Sequence, residues 1–390
     1  MMNWRALPYK RIGRSNNISQ EILDAAVASG NAVLAVNSAL PPIFTLNHLA
    51  YLTGVDYPFI RRIVEKVGDE PYRVFRVRKR NSGGSSVRFR VICTPNPKLL
   101  IVQRWIARNV LNNALMKVHQ SSAAYAPSSS ILDAASPHCA CKWLIKLDIC
   151  NFFESISEIS VYRAFRDLGY QPLIAFEMAR LCTRLGGETI RRRTHEQWLS
   201  THTYKYKINA YRNHRIGHLP QGAPTSPMLS NIVMYKVDEE ITKTAHNMGI
   251  VYTRYADDLI FSTKSTNYDR ESAASLIRDI YKILGRYGFS PNLAKTKVVS
   301  PRSRKLVLGL LVDKEVPRLS RDFKNSMRMH LYYLKSDKIG PSKHALARGF
   351  SAVAGLRNHL FGMAAYAMQV EVEYGKWLLD ELNSISWPCL

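Results

Sequence analysis

With 390 residues, 46% of them hydrophobic, the chain can bury one large core or two to three coupled subdomains, and its 18 Pro and 20 Gly are ordinary for a globular protein. A disordered chain is excluded on that ground. Its 55 Lys and Arg against 30 Asp and Glu leave a net charge of +25, an excess that suits a polyanionic partner such as nucleic acid, with a ribosomal-style or membrane-surface protein as the bland alternative.

The opening "MMNWRALPYKRIGRSNN" lacks the apolar core of a signal peptide, and Cys93, Cys139, Cys141, Cys150, Cys182 and Cys389 have no framework spacing. A reduced, cytoplasmic protein is expected. The run Ala25 to Leu40 is broken by Gly30, Asn31 and Asn37, so no membrane span is expected. Residues 1–70 read as short packing helices: "SQEILDAAVA" with Ser19 as cap, then "TLNHLAYLTG" stopped by Gly54. In "YRVFRVRKRNSGGSSVRFRVICTP" the period changes to two. Arg76, Arg78 and Arg80 alternate with Phe75 and Val77, and Arg88 and Arg90 with Phe89 and Val91, which predicts a β-hairpin with one basic, phosphate-binding face.

A helix follows over "LLIVQRWIARNVLNNALMKV", with Val102, Trp105, Ile106 and Val110 inward. "HCAC", His138 to Cys141, has no second ligand pair at zinc spacing, and no zinc is assigned. In "CKWLIKLDICNFFESI" an apolar strand delivers Asp148 at its tip, costly unless it meets a cation. Residues 186–218 read as a basic, aromatic, loop-rich insertion, either near nucleic acid or merely solvated. "LPQGAPTSPMLSNIVMYKVDEEI" places the stiff Gln221–Gly222 loop before a helix capped by Ser226, with Pro227 in first position and Leu229, Val233, Val237 and Ile241 on one face. "GIVYTRYADDLIFSTK" then predicts a hairpin with Asp257 and Asp258 at its tip, followed by a helix from Arg270 to Tyr287. "KLVLGLLVD" reads as a strand, and three Lys-, Arg- and Tyr-rich helices complete the chain.

Phosphoryl transfer to a hydroxyl needs charge neutralised at the attacking and leaving oxygens, which two divalent ions roughly 3.5 to 4 Å apart accomplish in polymerases. Hard cations such as Mg²⁺ take carboxylate oxygens. Asp148 and the Asp257–Asp258 pair could hold both ions if their strands are neighbours in one sheet.

In order and spacing, "KLDICNFF", "LPQGAPTSP", "YADD", "NLAKTK" and "VLGLLVD" resemble the palm motifs of the reverse transcriptases, from about Tyr72 to the C-terminus. The resemblance implies an α+β right-hand polymerase: N-terminal helices over 1–70, fingers over 71–142, an antiparallel palm with helices on one side over 143–311, and a helical, RNA-binding thumb over 312–390. It implies metal ligation of two Mg²⁺ ions, or Mn²⁺, by Asp148, Asp257, Asp258 and the carbonyl of Ile149. It makes Phe153 the gate against a ribose 2′-hydroxyl. Lys79 and Arg90 would hold the triphosphate, Gln221 and Gly222 would contact the nucleotide, and Lys295 would protonate pyrophosphate. Arg76, Arg78, Arg80, Arg88 and His138 would meet nucleic acid.

"QGAPTSP" with "LSN" and "YADDLIFS" looks most like the bacterial retron enzymes. Those copy a structured noncoding RNA from a 2′-hydroxyl primer into branched multicopy DNA in antiphage defence, which implies that RNA, its DNA product, deoxynucleotides and an accessory effector protein as partners, and no membrane. Two motifs depart from the retron pattern: "AASPH" has Ala134 where Asn is usual, and "VLG" has Leu308 where Thr is usual. A group II intron-type or other defence-associated reverse transcriptase, an RNA-dependent RNA polymerase and a noncatalytic RNA-binding protein are the alternatives.

Overall fold

The structure is a computed structural model that describes residues 4–78, 89–186, 208, 211 and 215–388. Lys79, Arg80 and Arg88, and nearly all of the expected insertion, therefore lie outside the described residues. Four helices lead the chain: α1 (Ala6–Ser15), α2 (Gln20–Val36), α3 (Leu46–Thr53) and α4 (Tyr57–Glu65). Three of the four starts are chemically marked, since Ser19, Thr45 and Asp56 each accept a hydrogen bond from the first-turn backbone, whereas α1 has no side-chain cap. Gly54, at φ +67°, ends α3 in the left-handed conformation that a Cβ disfavours.

Strands β1 (Tyr72–Arg78) and β2 (Phe89–Pro95) form the expected antiparallel hairpin, but its register corrects the expectation of one basic face. Arg76 lies opposite Val91 and Arg78 opposite Phe89, whereas Arg90 lies opposite Val77. Cross-strand partners share a face and neighbours along a strand do not, so Arg76 and Arg78 point one way and Arg90 the other. Alternation within each strand was legible; the relative phase depends on pairing.

Helix α5 (Pro97–Asn109), capped by Asn96, buries Val102 and Ile106, and the short α6 (Ile131–Ala135) starts in a capping box of Ser130 and Asp133. The central sheet has the order β4 (Val251–Tyr255), β5 (Asp258–Thr263), β3 (Trp143–Asp148), β6 (Lys297–Val299), all antiparallel. Helices α7 (Glu158–Asp167), α8 (Pro172–Cys182), α9 (Ser226–Asn247) and α10 (Arg270–Arg286) join one large core with Ile145, Leu147, Leu259 and Phe261 of the sheet. Ser226 does not cap α9; Thr225 stands at the N-cap without a side-chain bond, while the Ser226 hydroxyl donates to the Pro220 carbonyl. Pro227 accordingly lies one place inside the helix start.

Leu144 and Ile260 point to the opposite face and enter a second core with Cys139, Cys141 and the C-terminal elements. Here "KLVLGLLVD" is a tight hairpin, not one strand: β7 (Leu306–Val307) and β8 (Leu310–Leu311) flank Leu308 and Gly309, at φ +48° and +87°. Two successive positive φ values suit the reversal between right-twisted strands. Strand β9 (Arg318–Leu319) completes this sheet. The terminal region contains four helices where three were expected: α11 (Arg321–Lys335), α12 (Gly340–Ala347), α13 (Val353–Val370) and α14 (Val372–Asn383). The last two meet so closely that a Cβ on Gly375 would lie 2.3 Å from Met368 backbone atoms. Among the described residues no helix is long and apolar enough to cross a membrane.

Candidate active site

Pairing of β3 with β5 sets Asp148 directly opposite Asp258. Asp257 occupies the loop beside it, its carbonyl accepting the Ile149 backbone N–H at 3.0 Å. The hairpin tip therefore differs slightly from expectation: Ala256, at φ +56°, and Asp257 make the turn, and Asp258 already belongs to β5. A non-glycine residue in that conformation is strained and persists where its surroundings hold it.

Asp148 is 3% exposed. Its carboxylate accepts Asn292 Nδ2 at 2.8 Å and Lys295 Nζ at 2.5 Å. Burial and the Asp257 and Asp148 charges push Asp258 up to about 6, and burial with the Asp148 charge holds Asp257 above its ordinary value. Burial works to lower Lys295, but the hydrogen bond and charge of Asp148 with the other two carboxylates outweigh it and keep the ammonium above the usual lysine value. Among the described residues no three His, Cys, Asp or Glu side chains stand as a ready metal-ligating group, and Asp148 is turned onto Lys295 and Asn292. The donor chemistry fits a hard divalent cation all the same, since the adjoining carboxylates offer only oxygen and repel one another without a positive charge between them.

The Gln221 carbonyl accepts the Cys93 N–H at 2.7 Å, which docks the loop before α9 onto β2. Gly222 has φ +112°, and a Cβ there would stand 2.9 Å from Ile92 and 3.2 Å from the Cys93 carbonyl. Arg90 shares the face of Ile92, the face against which the Gly222 loop packs. Arg76 and Arg78 lie on the other face of the hairpin. Phe153 is half-buried against buried Phe152, ring centroids 5.6 Å apart.

His138 is corrected. It is fully buried, with its ring nitrogens 2.7 Å from the Ser262 hydroxyl and 2.8 Å from that of Thr253, and so has no free edge for nucleic acid. It pins the segment after α6 to β4 and β5.

Arg254, Asp238 and Asn231 were not nominated from the sequence, although each interrupts an apolar run. Arg254 and Asp238 are fully buried and paired at 2.7 Å. Arg254 also donates to Asn231 Oδ1 and, at 3.1 Å, to the carbonyl of the strained Ala256. Asn231 in turn donates to the Ala124 carbonyl at 2.7 Å and accepts from Ser122. One buried network thus holds the acidic turn, α9 and the segment at 121–124 together.

Comparison with known families matches residues 77–316, well over half of the chain, to "Reverse transcriptase (RNA-dependent DNA polymerase)". The Ec86 retron reverse transcriptase of Escherichia coli is 28% identical over 352 residues, which span 89% of this chain and 96% of that protein. The Ec73 retron reverse transcriptase of the same species is 27% identical, across 82% of this chain and 89% of that one. The Mx162 retron enzyme of Myxococcus xanthus is 28% identical over 76% of this chain, which covers 58% of the longer relative.

Proposed function

The chain belongs to the reverse transcriptase family, an RNA-directed DNA polymerase, and from that premise we propose that it serves a bacterial retron. It copies a structured noncoding RNA, primed from a 2′-hydroxyl of that RNA, into branched single-stranded DNA for antiphage defence in the cytoplasm. The observation that carries the polymerase site is the Asp148–Asp258 register pair with Asp257 in the adjoining loop. Similarity along nearly the full length of a retron enzyme favours the retron reading over other reverse transcriptases.

Asp148, Asp257, Asp258 and the Ile149 carbonyl would hold two Mg²⁺, or Mn²⁺, which when bound supply charge neutralisation at the attacking and leaving oxygens. Arg90 receives the triphosphate from the hairpin side, with Gln221 and Gly222 beneath the nucleotide. Lys79 belongs to the same proposal by its place in the chain. Phe153 closes the space where a 2′-hydroxyl would sit. Lys295 is protonated and touches Asp148, which suits a proton donor to departing pyrophosphate. Arg76 and Arg78, exposed on the far face of the hairpin, are assigned to template phosphates, as are Arg80 and Arg88. The fingers, palm and thumb divide near 142 and 312, the helical thumb gripping RNA. An accessory effector is the expected protein partner.

Purification from the native host, extraction of bound nucleic acid and a denaturing gel before and after RNase, DNase and debranching enzyme test this directly, beside Asp257→Asn. One discrete DNA joined to RNA through a debranchable linkage, absent from the variant, is the expected result. Heterogeneous DNA without a branch would leave a reverse transcriptase and remove the retron.

A further inference from the structure

Tyr125 lies beside Phe153 at the edge of this site. It is the central residue of a γ-turn, with the Ala126 N–H donating to the Ala124 carbonyl at 2.9 Å, and its φ is +67°. The γ-turn with positive φ is the rare and strained form, and a bulky side chain makes it an outlier. A glycine would adopt that backbone freely.

The surroundings hold the strain on both sides. The Ala123 N–H donates to the Arg254 carbonyl at 2.8 Å, and Ser121 accepts the Arg254 N–H at 2.7 Å, which ties the segment to the edge of β4. Asn231 clamps the Ala124 carbonyl from α9. The turn is thereby fastened to the network that holds the Ala256 carbonyl and the acidic loop.

The clamped conformation presents the ring to Phe153, centroids 6.1 Å apart, while leaving the residue 38% exposed. Burial foremost, then the Asp257 charge, pushes its hydroxyl up to about 12, while Arg254 and Arg90 act in the opposite direction. Its ring neighbour is thus Phe153, and its own segment is bonded to the strand that leads into the acidic loop. A core tyrosine would be covered, and a surface tyrosine would need no strained turn.

We infer that Tyr125 is a specificity-determining residue that forms, with Phe153, a second aromatic wall for the sugar and base of the incoming nucleotide. This rests on the reading of Phe153 as the sugar gate. Strain at such a turn is retained where it places a side chain that a relaxed backbone would direct elsewhere.

The test uses the full chain with poly(rA), oligo(dT) primer, Mg²⁺ and dTTP, for wild type, Tyr125→Gly, Tyr125→Asn and Tyr125→Phe. Glycine and asparagine both tolerate positive φ, so neither is expected to lower the thermal midpoint. Both should raise KM for dTTP about tenfold with kcat within about threefold, and phenylalanine should recover most of that loss. A KM within about twofold of wild type in the two ring-less variants, or a fall confined to kcat, overturns the inference. Phe153→Val, assayed with dTTP and UTP in parallel, separates the premise: without a gain in UTP use the Phe153 reading fails, whereas the Tyr125 assignment is still decided by its own KM.

Discussion

At the scale of single residues the site is built from charges that would be unfavourable anywhere else. Asp258 faces Asp148 across a strand pair with Asp257 adjacent, so removing one negative charge relieves repulsion while removing a proposed metal ligand. Asp258→Asn should therefore lower primer extension at least about a thousandfold and, in metal-free buffer, raise folding stability by about 1 kcal/mol. Primer-extension rates beside urea melts check both signs; a loss of stability equal to the loss of activity would reassign Asp258 to the scaffold. Arg254 carries the opposite expectation. Truncation to Ala strands the buried Asp238 carboxylate and should cost about 3–5 kcal/mol. Arg254→Lys keeps a charge but not the fork that reaches Asp238, Asn231 and the Ala256 carbonyl together. It should fold and extend primers poorly, its defect visible in kcat.

Whole elements decide which basic groups share a face. The hairpin register puts Arg90 on the face where the Gly222 loop packs and Arg76 on the other, so on their proposed roles Arg90→Ala should raise KM for dNTP by about tenfold and Arg76→Ala should weaken template binding instead. Equal effects on KM would contradict the register. The docking of the Gln221–Gly222 loop on β2 makes a second prediction. Gly222→Ala must place a Cβ 2.9 Å from Ile92 at φ +112°, and is expected to cost about 1–3 kcal/mol, read as a fall in thermal midpoint. These positions were partly legible. "PQG" and "YADD" announced a loop and a turn, and Ser19 announced a helix start, whereas Ser226 did not cap its helix. The pairing phase of β1 with β2 was not, because period-two alternation looks the same in either register.

The molecule as a whole has two apolar cores on opposite faces of one four-stranded sheet, and the interior carries histidines held neutral. Burial lowers both His138 and His218 to about 4. The unfolded chain protonates these groups near 6.5 while the folded one resists until about 4, so stability is intact above pH 6.5 and falls progressively as pH drops toward 4. Each group should account for about 2–3 kcal/mol across that window. Circular-dichroism melts from pH 7.5 to 4.5 should show this fall, and His138→Gln, which can still bond one hydroxyl, should flatten part of it. A profile that is flat between pH 6.5 and 5 would contradict the burial of these rings. The net charge of +25 predicts in addition that RNA affinity falls steeply with added salt.

What the sequence determined by itself was local and ordinal: where several helices lie, that Ser19 opens one of them, and that Asp148, the Gln221–Gly222 loop, the Asp257–Asp258 pair and Lys295 follow in one order along a basic chain. Periodicity, capping and motif order are properties of neighbouring residues, and they survive without knowledge of contacts. Tertiary structure alone decided that Asp148 meets Asp258, that Lys295 reaches Asp148, that His138 is a buried pin, and that the Arg254 network reaches both the acidic turn and the strained backbone at Tyr125. Each of those facts joins residues far apart in the chain, where strand register and the need to satisfy every buried polar group choose the partner.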